Sequence, residues 1–184
     1  MRVISGRARG TKLNSIDSLK TRPTLDRVKE SLFNILQNEL EDSLVLDLFA
    51  GSGALGIEAL SRGAKQVYFC DSSYESIKVL KENLEKTKLL DFSVILNKDF
   101  RKTLKELKEK QFDLIFLDPP YKTNYVIDAL EDIYSFELLK ENGKIVIETD
   151  EERILEAIGK LEFMELYDQR KYGRATLVFL KRRK

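Results

Sequence analysis

The strongest constraint on the fold is a repeated alternation between short apolar segments and amphipathic helical segments. The apolar segments have the length of buried strands and cover 44–49, 66–71, 92–97, 112–118 and 144–148. Segments with helical periodicity begin at Thr24 and after Asp99, and further ones cover 54–62, 74–86, 124–134 and 151–160. Strands that alternate with helices predict a parallel sheet with right-handed crossovers and helices on both faces.

The end of the chain departs from this alternation. Residues 162–171 and 174–181 have the pattern of two strands that turn at Tyr172 and Gly173. We therefore predict an α/β fold with a mostly parallel seven-stranded sheet and an antiparallel C-terminal hairpin. The 184 residues fit one domain, which we place at 24–184, after a basic arm at 1–23 whose short apolar alternation is compatible with a hairpin.

Composition excludes several classes of protein. The chain has no histidine, which removes imidazole as a general base and the usual zinc ligands, so we expect no metal site. Its single cysteine, Cys70, allows no internal disulfide; we interpret it as a core residue and expect a reducing cytoplasm. We expect no membrane segment, because no apolar run approaches the roughly 20 residues that a membrane helix needs. The basic start lacks the apolar stretch of a secretory signal, and a monomer is the default expectation.

The net charge of +1 conceals a segregation of charge along the chain. Residues 1–29 carry a net charge of +6 and residues 169–184 carry +7, whereas the segment between them carries −12. Two basic ends on a small domain favour binding to a phosphate backbone with salt-sensitive affinity. In the first arm we interpret Arg7, Arg9 and Lys12 as candidate RNA contacts.

A glycine-rich turn follows the first apolar segment and is the first candidate site. The turn reads D-L-F-A-G-S-G, and its candidate cofactor contacts are Asp47, Phe49, Ala50, Gly51, Ser52 and Gly53. The glycines let the backbone approach a ligand closely, and a carboxylate beside them suits the ammonium and sulfonium groups of S-adenosylmethionine. Residues 51–56 also fit the G-x-G-x-x-G pattern of nicotinamide-dependent oxidoreductases, but the carboxylate of Asp47 would repel a pyrophosphate.

Carboxylates also follow the next two apolar segments. Asp71, with Ser72 beside it, stands about twenty residues past the glycines, where a carboxylate accepts hydrogen bonds from ribose hydroxyls. Asp99, followed by Phe100, is placed to accept from an adenine amino group. Either aspartate alone is equally compatible with a helix cap, but three acids at three successive strand ends favour one cofactor site.

The fourth apolar segment ends in D-P-P-Y, which is the most specific signal in the sequence. Asp118 and the carbonyl of Pro119 are placed to accept hydrogen bonds from one exocyclic amino group, Pro120 fixes the backbone, and Tyr121 offers a ring on which a base stacks. Two such acceptors orient a poorly nucleophilic amino nitrogen toward an electrophilic methyl group. This pattern fits the amino group of adenine, cytosine or guanine equally, and also resembles the N-P-P-Y of enzymes that methylate glutamine side chains.

Taken together, these segments resemble the RsmD family of bacterial 16S rRNA guanine-N2 methyltransferases. The resemblance rests on MRVISGRARGTKL, RPTLDRVKESLFNIL, DLFAGSGALGIEALSRGA and FLDPPY in this order. It implies a class I methyltransferase fold, S-adenosylmethionine as cofactor, and methylation of one guanine N2 in 16S rRNA of the small ribosomal subunit or its assembly intermediate. It also implies that Arg22 and Thr24 lie near the mouth of the active site as RNA contacts. A glutamate is more frequent in the family where this chain has Asp71, which shortens the reach to the ribose.

Three alternatives to guanine methylation stay open at this point. The first is an N6-adenine methyltransferase that acts on RNA or DNA. The second is a non-catalytic RNA-binding scaffold with a methyltransferase fold, although a scaffold needs neither the intact glycine turn nor D-P-P-Y. The third is the nicotinamide-dependent oxidoreductase, which Asp47 disfavours.

Overall fold

The structure is a computed structural model that describes residues 1–16, 23–120 and 124–183. Its α-helices are α1 (Pro23–Ile35), α2 (Ala54–Ser61), α3 (Tyr74–Thr87), α4 (Phe100–Glu106), α5 (Tyr125–Ser135) and α6 (Glu152–Gly159). Its strands are β1 (Leu44–Asp47), β2 (Gln66–Cys70), β3 (Ser93–Leu96), β4 (Phe112–Leu117), β5 (Leu139–Thr149), β6 (Met164–Tyr172) and β7 (Ala175–Arg182). Within these described ranges, no helix combines the length and the apolar content that crossing a membrane requires.

The strands form one seven-stranded sheet in the order β3-β2-β1-β4-β5-β7-β6. Neighbouring strands from β3 to β5 are parallel, and β7 runs antiparallel to both β5 and β6. The predicted mostly parallel sheet with an antiparallel C-terminal hairpin is therefore confirmed. The strand order reverses between β1 and β4, and in open sheets of this kind the crevice beyond the carboxyl ends of two such strands is where ligands bind.

Helices cover both faces of the sheet and bury two apolar layers. One layer contains residues of α1, α2 and α3, for example Leu32, Leu60 and Leu80. The other contains residues of α4, α5 and α6, for example Leu130 and Ile158. Successive strand residues alternate between the two layers, which explains why the strand segments read as continuous apolar runs.

The fifth strand begins earlier than the sequence predicts. We expected a turn at Asn142 and Gly143 and a strand at 144–148, but β5 already begins at Leu139. Residues 139–143 can belong to the strand because the register of β5 with β4 is irregular: Phe112 pairs with Leu139, whereas Leu114 pairs with Lys144. The glycine turn signal therefore marks an irregularity inside the strand and not its beginning.

The first sixteen residues form a hairpin that packs on the domain. Arg2 and Lys12 form an antiparallel bridge, and Val3, Ala8 and Leu13 are buried in the layer that contains α1 to α3. The hairpin therefore adds three apolar side chains to the main core, although its sequence shows little core of its own.

A buried carboxylate of α2 fixes this hairpin. Glu58, which is fully buried, accepts from the backbone N–H groups of Ile4 at 2.8 Å and Ser5 at 3.0 Å. The same carboxylate pairs with Lys29 at 3.3 Å and Arg62 at 2.8 Å. Four donors thus neutralise and solvate one buried charge, which is the condition under which burial of a carboxylate is tolerated.

Candidate active site

A cleft of about 700 Å³ opens beyond the carboxyl ends of β1, β2, β4 and β5, where the strand order reverses. This is the size of a pocket for a cofactor or a small molecule. Five carboxylates from five different segments line it: Asp47, Asp71, Asp99, Asp118 and Glu148. The site therefore favours ligands that are cationic or rich in hydrogen-bond donors.

Asp47 is the most buried of these carboxylates. It stands at the last position of β1, is 2% exposed, and accepts from the N–H of Gly56 at 3.0 Å. Desolvation raises the pKa of Asp47 to about 7, and the nearby Asp71 carboxylate adds to this, although the Gly56 hydrogen bond opposes it. A desolvated carboxylate with one hydrogen bond is stabilised by a cation, which fits the ammonium end of the predicted cofactor.

The glycine turn adopts the conformation that its sequence requires. Gly53 has a φ of +83° at the start of α2, and a Cβ atom there would lie 2.2 Å from Cδ1 of Leu80. The N–H of Gly51 donates to Oδ2 of Asp71 at 2.8 Å, and the N–H of Ser73 donates to Oδ1 at 2.8 Å. Asp71 thus joins the turn after β1 to the start of α3, and Ala50, Ser52 and Ser72 line the same cleft.

Asp99 and Phe100 lie on the far wall of the cleft, at the start of α4. The side chain of Asp99 caps this helix by accepting from the N–H of Arg101 at 3.0 Å. Phe100 packs with Phe49 and Tyr125 at ring-centroid distances of 5.2 and 5.1 Å. These three residues line the cleft, so the structure adds Tyr125 to Phe49 and Phe100, the aromatic residues that the sequence predicts as cofactor contacts.

Cys70 also contributes to the cleft wall, but its thiol is not poised to react. It is 1% exposed, as expected of a core residue, and lies 3.1 Å from Oγ1 of Thr103. Burial raises the pKa of Cys70 to about 11. Because the thiolate is the nucleophilic form, this residue is not a nucleophile at neutral pH.

The D-P-P segment follows β4 directly and forms the wall opposite Asp71. Asp118, Pro119 and Pro120 all line the cleft. Asp118 is reachable by solvent from the mouth of the cleft, yet desolvation by the surrounding protein raises its pKa, and the carboxylates of Glu148 and Asp47 raise it further. Tyr121, the last predicted member of this group, lies outside the described residues.

Sequence reasoning missed three charged residues of the cleft. Glu148 lies near the end of β5, Lys29 lies on α1 and Lys98 directly precedes Asp99, and all three line the site. Glu148 carries the same signal that led to Asp47, Asp71 and Asp99, a carboxylate at the end of an apolar strand. Lys29 gives no such signal, because its position in the cleft depends on how α1 packs against the sheet.

The candidate RNA contacts of the arm are placed differently from one another. Arg9 and Lys12 are both exposed on the hairpin, where Lys12 forms the bridge with Arg2. Arg7 is also exposed, but its guanidinium donates to the carbonyl of Leu60 at 3.1 and 3.2 Å and lies 4.4 Å from the ring centre of Phe92. Arg7 therefore anchors the hairpin to the domain. Arg22 and the side chain of Thr24 lie outside the described residues.

Comparisons with known proteins match nearly the whole chain. A family model described as conserved hypothetical protein 95 matches residues 1–181. The chain is 41% identical over 164 residues to YlbH of Bacillus subtilis, which covers 88% of this chain and 89% of that protein. It is 40% identical over 157 residues to ribosomal RNA small subunit methyltransferase D of Haemophilus influenzae, which covers 84% of this chain and 81% of that protein. The solved structure of yhhF from Escherichia coli superposes with a TM-score of 0.84 at 28% identity, covering 100% of this chain and 98% of that chain.

Proposed function

Because the chain belongs to the RsmD family and has the fold of S-adenosylmethionine-dependent methyltransferases, we propose that it methylates the exocyclic N2 of one guanine in 16S rRNA. The substrate is the RNA in the small ribosomal subunit or in its assembly intermediate, so the enzyme acts in the cytoplasm. Its relative from Haemophilus influenzae is named for the small-subunit RNA, which supports this substrate class.

One observation carries the proposal: Asp118 and Pro119 stand at the carboxyl end of β4, in the same cleft as the carboxylates that suit the cofactor. This arrangement supports a transfer in which an acceptor pair for an amino group lies beside a site for a cationic methyl donor. Proximity and orientation supply much of the rate in such a transfer.

The residues of the cleft fit S-adenosylmethionine. Asp47 is a desolvated carboxylate whose ionised form a cation stabilises, Asp71 presents its carboxylate beside the glycine turn, and the rings of Phe49, Phe100 and Tyr125 offer an apolar wall. When bound, the cofactor supplies a methyl group on a positively charged sulfur, which is a good electrophile.

The protein's own part in the reaction is to bind and orient the base. Asp118 and the carbonyl of Pro119 accept from the two hydrogens of the base amino group and direct the nitrogen lone pair toward the methyl group. Since D-P-P positions any base amino group in this way, an N6-adenine product is the second candidate, and the base found in the product separates the two.

The role of Asp118 is tested by comparing binding with turnover. We expect Asp118→Ala to lower kcat by at least about 100-fold, because one acceptor for the amino group is removed, while the Kd for S-adenosylmethionine changes little. Asp118→Asn keeps an acceptor oxygen and should retain more activity than the alanine variant. Equal kcat in Asp118→Ala and wild type would remove Asp118 from the mechanism.

A further inference from the structure

Glu148 is the cleft carboxylate to which the proposed mechanism gives no role, and the register of the sheet places it beside Asp118. In the parallel pair of β4 and β5, Phe116 pairs with Val146 and Leu117 pairs with Ile147. Continued by one residue beyond Leu117, the last residue of β4, this register brings Asp118 beside Glu148. Paired residues of parallel strands point to the same face of a sheet, and Phe116 and Val146 assign that face to the layer that contains α1.

The surroundings of this carboxylate pair are short of cations. Asp47 lies on the neighbouring β1, Asp150 follows Glu148 along the chain, and β7 presents the uncharged Leu177 opposite Glu148. Two lysines line the same cleft, but both are engaged elsewhere. The ammonium group of Lys29 pairs with Glu58 at 3.3 Å and donates to the carbonyl of Arg2 at 2.6 Å, and that of Lys98 pairs with Glu106. Desolvation raises the pKa of Glu148, and Asp150 adds to it.

Methylation of an amino group releases a proton that needs an acceptor. The nitrogen forms its bond to the methyl carbon, the carbon–sulfur bond breaks with its electron pair on sulfur, and the nitrogen then holds one proton too many. We propose that Glu148 is a positioning residue that makes Asp118 the acceptor of this proton, so that the two carboxylates take it up together and pass it to solvent at the mouth of the cleft. This inference rests on the proposed function.

The physical basis is the repulsion between two like charges that the surrounding protein partly desolvates. Such a pair holds a proton more tightly than either carboxylate would alone. Proton transfer is most effective when the acceptor titrates near the working pH, and an isolated aspartate is too weak a base for that. Glu148 thus strengthens Asp118 as a base without touching the substrate itself.

The test compares pH profiles of kcat for wild type, Glu148→Gln, Glu148→Asp and Glu141→Gln. The active form has Asp118 ionised, so the acidic limb follows the pKa of Asp118. Loss of the neighbouring charge in Glu148→Gln should move this limb to lower pH by about one unit and lower the plateau, because Asp118 becomes a weaker base. Glu148→Asp should restore both, and Glu141→Gln, which changes an exposed glutamate nearer the other end of β5, should match wild type.

A titration of the carboxyl carbons by NMR gives an answer that does not depend on activity. In wild type without substrate, Asp118 and Glu148 should titrate as a coupled pair, and in Glu148→Gln the Asp118 signal should titrate at lower pH. An unshifted limb in active Glu148→Gln, or independent titration of the two carboxyls in wild type, would overturn this inference alone. A shifted Asp118 titration in a protein that methylates no nucleic acid would overturn the proposed function, and the proton step with it.

Discussion

Asp47 is an ionisable residue in surroundings that disfavour its charged form when no ligand is bound. It is nearly inaccessible to solvent, and among the described residues its hydrogen-bond donor is the N–H of Gly56. Burial of a carboxylate under these conditions disfavours its charged form, which is why its pKa lies near 7. A cationic ligand reverses this preference, so ligand binding and proton loss at Asp47 are linked.

This linkage predicts how cofactor affinity depends on pH. Below about pH 7 Asp47 is protonated in the free protein, and S-adenosylmethionine must displace that proton to gain the charge interaction. We expect its Kd to rise as pH falls below 7, by up to about tenfold per unit, with proton release detected by calorimetry in buffers of different ionisation enthalpy. The measurements belong between about pH 5 and about pH 7, where an amino-acid ammonium group stays charged.

Asp47→Asn is the matched control for this linkage. The amide keeps an oxygen that accepts from the N–H of Gly56 but cannot ionise. The Kd of Asp47→Asn for S-adenosylmethionine should therefore be higher than that of wild type at pH 7 and independent of pH. If wild type and Asp47→Asn share the same pH dependence, the titrating group is not Asp47.

At the scale of elements, the N-terminal hairpin is joined to the helices beside the cleft. Besides the contacts with Glu58, the N–H of Arg7 donates to the carbonyl of Ser61 at 2.8 Å, and the N–H of Ala8 donates to its hydroxyl at 2.9 Å. At its other end, Asn83 of α3 donates to the carbonyls of Asn14 at 3.0 Å and Ser52 at 2.9 Å. Since Met1 and Ile16 line the cleft, the hairpin and the cofactor site share a wall.

Substitutions at Gly6 and Gly10 distinguish two contributions to stability: the packing of the hairpin on α2 and the backbone conformation of the hairpin itself. Both have positive φ, +82° and +85°, but a Cβ atom at Gly6 would lie 1.7 Å from the carbonyl oxygen of Ser61, whereas Gly10 has open space. We expect Gly10→Ala to cost about 1–2 kcal/mol of unfolding free energy from backbone strain alone, and Gly6→Ala to cost at least about 3 kcal/mol because the hairpin must leave α2. Urea unfolding measures both, and equal losses would mean that the close approach of Gly6 to Ser61 does not hold the hairpin in place.

The features that could be predicted from the sequence are those whose pattern lies within a short stretch of the chain. Asp47 ends an apolar strand, and Asp71, Asp99 and Asp118 come after the ends of three others. Because parallel strands end at one edge of a sheet, the convergence of these four residues follows from the alternation alone. The attachment of the hairpin could not be predicted, because the contacts of Ile4 and Ser5 with Glu58 span more than fifty residues. Tyr125 was missed for a similar reason: its place in the cleft is set by how α5 packs on α4.

At the scale of the whole molecule, the basic residues of the C-terminal segment lie at two opposite edges of the sheet: some around the β6–β7 turn and the others at the end of β7. The turn between β6 and β7 lies at the cleft edge, because Thr176 pairs with Thr149 at the end of β5. The end of β7 lies at the opposite edge, since Leu180 pairs with Ile145 and β7 runs on to Arg182. The sequence predicts RNA binding by both basic ends of the chain. Because of this topology, we expect the hairpin and the β6–β7 turn to contact RNA, and the end of β7 not to.

The topology therefore predicts which basic side chains contribute to RNA binding. Replacing Arg9 and Lys12 with alanine should weaken binding to small-subunit RNA and reduce the slope of log K against log salt by about one for each phosphate that is no longer neutralised. Replacing Lys171 and Arg174 at the β6–β7 turn should have the same kind of effect. Arg183→Ala, at the far edge, is the control and should leave the slope unchanged; an equal effect of all three variants would indicate nonspecific attraction by net charge.

Methylation of guanine N2 in small-subunit RNA is the reaction that the cleft is proposed to perform. The most direct test incubates the protein and labelled S-adenosylmethionine with small ribosomal subunits that lack their own modification, followed by nucleoside mass spectrometry, with free 16S rRNA, tRNA, DNA and protein in parallel. We predict a single N2-methylguanosine in the 16S rRNA of the subunits, and none with Asp118→Ala. Label in another base or another polymer would contradict the assigned substrate, and the absence of label in every substrate while the cofactor still binds would contradict the assignment as an enzyme of RNA modification.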